Sequence, residues 1–112
     1  MELNINLIQE IKSIITQSRE SAIRAVDHVR VLMYWNIGKR IFKEEQQGKD
    51  RAEYGTYLIK SLSKELQPEF GSGFSIRQME LIRQFYRTFP IANAVHSQLT
   101  WTHYKFLIRI EN

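Results

Sequence analysis

From Leu3 to about Gln46 the apolar positions recur at helical spacing: Leu3, Leu7, Ile11, Ile14 and Ile15, then Ile23, Val26, Val29, Met33, Ile37 and Ile41. No proline interrupts this run. The polar stretch Thr16 to Ser21 offers a cap at Ser18, so residues 1–48 fit one long helix or a pair, with Gly48 as the stop. A second helical stripe, Tyr54, Leu58, Leu62 and Leu66, follows an acidic capping pair, Asp50 and Glu53, and Pro68 is its expected end. Gly55 costs that helix about 1 kcal/mol relative to alanine. Either it permits a close helix approach or the helix starts at Thr56.

The glycine-punctuated segment Glu69 to Gly73 leads into a third helix with a strong start signal. Ser75 is placed as N-cap, Gln78 as its capping-box partner, and Phe74 and Met79 as a hydrophobic staple. Met79, Ile82, Tyr86 and Phe89 then share one side, and Arg77, Glu80, Gln84 and Arg87 another, before Pro90. Residues 91–98 read as a loop. Thr100 caps a last helix over 99–112, with Leu99 and Tyr104 as its staple, Trp101, Tyr104, Leu107 and Ile108 inward, and Lys105 and Arg109 outward. No strand-like alternation or internal repeat is present, so the pattern predicts an all-α domain of four to five helices.

Residues 50–89 give a helix, a glycine-containing turn and a capped second helix, the order of a helix-turn-helix unit. In that reading Arg77 and Gln78 meet base edges, because arginine donates twice to guanine and glutamine pairs with adenine. Arg83, Gln84, Arg87, Lys60 and Lys64 complete the surface, the cations resting on phosphates. The connection from Gln67 to Phe74 is longer than the usual tight turn. The same periodicity also fits a merely solvated arginine face, with Gln78 serving only the cap. The aromatic residues Tyr34, Trp35, Trp101 and Tyr104 read as core rather than as a platform for stacked bases.

At 112 residues, 43% hydrophobic and 25% charged, the chain is sized and composed for one soluble globular domain. A net charge of +4 favours an acidic partner only weakly. The absence of cysteine removes disulfides and thiolate chemistry and suits the cytoplasm. The longest apolar run, Val31 to Trp35, falls far short of the roughly 18 residues that span a bilayer, and no secretion signal is visible. His28, His96 and His103 have no shared helical spacing, which argues against a metal site. There is no phosphate-binding glycine loop or nucleophile elbow, and Glu44 and Glu45 diverge by about 100° on a helix. Glu10-Ile11-Lys12 matches a nuclease E-x-K string by letters only, without the upstream aspartate and the strand that hold metal-binding carboxylates. Neither a cofactor nor catalysis is expected.

Tyr34 to Gln46, Ala52-Glu-Tyr-Gly55 with Leu58 and Leu62, Phe70 to Ser75, Gln84 to Pro90 and Leu99 to Tyr104 together resemble the N-terminal domain of the YhcG family of bacterial proteins. The likeness covers the chain from about Ile23 onward. It implies an all-helical, helix-turn-helix-like DNA-binding domain, which in longer members precedes a nuclease-like domain of the PD-(D/E)XK type. The chain reaches only Asn112, so it is expected to be the targeting part without the nuclease part. The competing expectation is a protein-interaction or dimerisation domain, because a helix from Leu3 to Gln46 is roughly 60 Å or more long and a small globule cannot cover all of it.

Overall fold

The computed structural model describes residues 4–48, 53–91 and 99–111. Among them the chain forms four α-helices: α1 (Ile5–Gln47), α2 (Tyr54–Phe70), α3 (Ile76–Thr88) and α4 (Trp101–Glu111), with one 3₁₀ turn, Ser72–Phe74, between α2 and α3. The polar stretch around Ser18 does not break α1, which is one helix of 43 residues, about 64 Å long, in a molecule 77 Å in its longest dimension. Thr16 to Ser21 contains no proline or glycine, so nothing there forces the backbone to leave the helix. Asn4 starts α1, its Oδ1 accepting from the Asn6 N–H at 2.8 Å.

The core sits around the C-terminal half of α1. Val31, Tyr34, Trp35 and Ile41 pack with Met79, Ile82 and Phe85 of α3 and Trp101, Tyr104 and Ile108 of α4. α3 lies chiefly on α1, and α4 packs against both α3 and α1. The close approach of α1 and α3 depends on Gly38, where a Cβ would stand 2.5 Å from the Ile82 carbonyl oxygen and 2.9 Å from Tyr86 Cβ. The aromatic residues are core, as the sequence implies: Tyr34 meets Trp101 with ring centroids 4.6 Å apart, and Phe85 meets Tyr104 at 4.8 Å. Trp35 also donates from Nε1 to the Phe89 carbonyl at 2.6 Å, fixing the end of α3 against α1.

Two sequence expectations for α2 are corrected. Pro68 does not end it: the helix runs on to Phe70 and stops at Gly71, whose φ of 93° suits glycine. The connection to α3 is correspondingly short, Gly71 to Ser75. The buried centre of α2 is Ile59 and Ser63, one position along from the leucine stripe, while Leu58, Leu62 and Leu66 are half-buried. Asp50 lies outside the described residues, and Glu53 holds the N-cap position without a side-chain cap bond.

Candidate nucleic-acid interface

The unit that carries the candidate surface is held by local hydrogen bonds. Ser75 caps α3 as its sequence implies, Oγ accepting from the Gln78 N–H at 3.2 Å. Ser63, fully buried on α2, donates from Oγ to the Phe74 carbonyl at 2.8 Å and accepts from Gln67 Nε2 at 2.9 Å. The bond to Phe74 ties α2 to the turn ahead of α3, the Gln67 bond holds the Ser63 hydroxyl within α2, and a lone serine among leucines gives no sequence signal of either. Thr100 and His103 form a reciprocal capping box on α4: the His103 N–H donates to Thr100 Oγ1 at 3.4 Å, and the Thr100 N–H donates to His103 Nδ1 at 3.1 Å.

On α3 the inward side is Met79, Ile82 and Phe85, all fully buried. Phe85, which the sequence reading left off the apolar side, is central to it; Tyr86 and Phe89 are half-buried. The opposite side shows Arg77, Glu80 and Arg87 exposed, with Arg83 and Gln84 half-buried. Arg77, Glu80, Leu81, Arg83 and Gln84 line a shallow groove of about 300 Å³ that Arg109 of α4 completes. Arg109 was placed outward by the periodicity but not joined to this surface. Helix α4 lies nearest the α3 positions that only a folded chain brings to it, so spacing within either helix could not reveal the pairing.

The remaining residues of the expected surface separate. Gln78 is half-buried, about 100° round the helix from Arg77, so the two do not present one face. Arg87 donates from Nη2 to Glu45 Oε2 at 2.8 Å, and Arg83 Nη1 lies 3.9 Å from the same oxygen. Glu45 is largely buried, 13% exposed, so both guanidinium groups are neutralised in part by a carboxylate of α1. Gly55 sits against this ion cluster: a Cβ there would stand 2.8 Å from Arg83 Nη1 and 2.9 Å from Glu45 Oε2. What approaches Gly55 closely is the ends of two long side chains rather than another backbone, and α2 begins before it. Glu44, diverging from Glu45, pairs instead with Arg40 at 2.8 Å and accepts from the Tyr54 hydroxyl at 3.4 Å. Gln84 Nε2 donates to Thr88 Oγ1 at 3.3 Å. Lys60 is exposed beside Glu53, Thr56 and Tyr57, in a depression separate from the α3 groove, and Lys64 is exposed on α2.

Among the described residues no three metal-ligating side chains come together, and no helix is long and apolar enough to cross a membrane. No solved structure matches the chain. In sequence it is 37% identical over 90 residues to the Escherichia coli (strain K12) protein named "Putative nuclease YhcG", an alignment that takes in 78% of this chain and 24% of that protein. The chain thus spans about a quarter of the length of the relative it matches. Residues 10–112 match the model of the DUF1016 N-terminal domain, and the chain belongs to that family.

Proposed function

We propose that this domain binds duplex DNA through the outward face of α3 and serves as the targeting module of a nuclease-associated bacterial protein. The observation that carries the reading is the groove in which α3 and α4 bring Arg77, Arg83, Gln84 and Arg109 together on a surface left open to solvent. The order α2, short turn, α3 supports it, since a helix-turn-helix presents the start of its second helix to base edges. So does the printed name of the relative, "Putative nuclease YhcG". Arg77 and Gln84 are the residues placed to meet bases, Arg109 and Arg83 to meet phosphates, and Lys60 and Lys64 to touch the flanking backbone. Gln78 lends its backbone N–H to the Ser75 cap, its side chain makes no reciprocal capping bond because the Ser75 N–H donates to the Ser72 carbonyl, and we give that half-buried side chain a lesser part in reading bases. Arg87 has the weakest claim, because leaving Glu45 would strand a carboxylate that is mostly shielded from water.

Fluorescence anisotropy with labelled duplex DNA at several salt concentrations tests this. Affinity is expected to fall with salt at a log–log slope of about −0.9 per phosphate contacted. Arg109→Ala should reduce that slope by about one contact on every sequence, while Arg77→Ala should cost about 1–3 kcal/mol and relax sequence preference. Duplex affinity unchanged by both substitutions would refute the proposal. The chain alone is expected to cut no DNA with added magnesium or manganese.

A further inference from the structure

The first 26 residues of α1, about 39 Å, extend beyond the core, whose first α1 residue is Val31. They are not polar. Ile5, Leu7, Ile11, Ile14, Ile15, Ile23, Val26 and Val29 are between 45% and 69% exposed. Most of them form one stripe with Ile8, Leu32 and Met33. At 100° per residue that stripe is centred about 180° from Val31, Tyr34, Trp35, Gly38 and Ile41, the residues that face the core. It is therefore a second apolar face rather than a continuation of the first, and it meets the first only at Leu32, which is half-buried against the core.

Within the stripe the spacing alternates three and four residues without a break: Ile8, Ile11, Ile15, Ser18, Ala22, Ala25, Val29 and Leu32. That is the seam of a coiled coil, and it reads the same in either direction along the helix. We infer that α1 pairs with α1 of a second copy of this chain, antiparallel, through this seam. Antiparallel overlay sets Ile8 against Leu32 of the second copy, Ile11 against Val29, Ile15 against Ala25 and Ser18 against Ala22. Large residues then meet large or small ones, and only the two central layers are small. Parallel overlay would stack Ser18, Ala22 and Ala25 each on itself, three thin layers in succession beside thick isoleucine layers, which one interhelical distance cannot fill. Covering the stripe on both copies removes on the order of 1,200–1,600 Å² from water, the size of a stable interface. A patch that large left bare is unusual for a soluble monomer.

The two-fold brings Arg19 near Arg19 of the second copy, both exposed. Apolar pairing with a like-charge contact at its centre should tighten as salt rises, opposite in sign to phosphate binding. The pairing needs no nucleic acid, and neither does its test.

Sedimentation equilibrium of the intact chain should give a dimer whose dissociation constant falls between low and moderate salt. Ile11→Glu and Val29→Glu should each weaken it at least 100-fold while leaving the near-ultraviolet signal of the Trp35 and Trp101 core unchanged. The natural chain has no cysteine, so orientation is read by disulfide capture. Ile11→Cys with Val29→Cys should trap a covalent dimer on mild oxidation. Ile11→Cys alone should not, because antiparallel pairing holds the two position-11 residues about 27 Å apart. A monomer at high concentration, or a dimer indifferent to both glutamate substitutions, overturns the inference. Efficient capture by Ile11→Cys alone overturns the antiparallel arrangement.

Discussion

At the scale of single residues, two glycines that look alike in the sequence have different consequences. At Gly38 the atoms a methyl group would strike are the Ile82 carbonyl oxygen and Tyr86 Cβ, both fixed in α3. Gly38→Ala must separate two helices at the centre of the core, so overpacking of about 1–3 kcal/mol outweighs the roughly 1 kcal/mol gained in helix propensity. A net loss of up to about 2 kcal/mol is expected, lowering Tm by about 4–8 °C per kcal/mol in a melt of the purified chain. At Gly55 the neighbours are the tips of Arg83 and Glu45, which can swing away. Gly55→Ala should leave Tm within about 2 °C of the parent, the propensity gain offsetting a loosened, partly exposed ion pair. Equal effects of the two substitutions would show that the crossing of α1 and α3 is looser than the Gly38 geometry requires.

Helix identity was largely legible in the sequence, and helix relations were not. The 3.6-residue period of α1, the Ser75 and Thr100 starts and the burial of Trp101, Tyr104 and Ile108 on α4 are local properties, set by side chains within one turn of each other and matched by the structure, while Leu107 and Lys105 are both half-buried. Pro68 misled because a proline stops a helix only when the lost N–H and the ring are not accommodated, and in the last turn of α2 two more residues follow it. The groove was half legible: Arg77, Glu80 and Gln84 share a face by spacing, but Arg83 lies about 100° round the helix from Gln84, Arg109 joins from a different helix, and Glu45 engages Arg83 and Arg87 from α1. Contacts of that kind depend on tertiary packing, which no periodicity records. The Ser75 cap is the element-level feature most open to test. Ser75→Ala removes the acceptor of the Gln78 N–H at the start of α3, a loss of about 1 kcal/mol by chemical denaturation with unchanged m-value. Ser75→Asp, which restores an acceptor, should recover it. If both variants lose stability equally, the start of α3 is held by the Ser63 bond to the Phe74 carbonyl instead.

For the whole molecule, length and stability are in tension. The segment 5–30 is rich in isoleucine and valine, which lose side-chain freedom in a helix, and Ser13, Thr16, Ser18 and Ser21 add little propensity. A helix of that composition with no tertiary partner is marginal in water. Its order should therefore depend on being covered, and if the cover is a second copy, order and association are one equilibrium governed by mass action. Hydrogen exchange followed by mass spectrometry at two protein concentrations about 100-fold apart separates the parts. Amides of residues 7–29 should be protected strongly at the higher concentration and weakly at the lower. Amides around Tyr34 to Ile41 and Met79 to Phe85, inside the core, should show the same protection at both. Uniform protection along α1 that persists at the lower concentration would mean that the projecting half is stable alone, and the apolar stripe would then need an explanation other than the stability of its own helix.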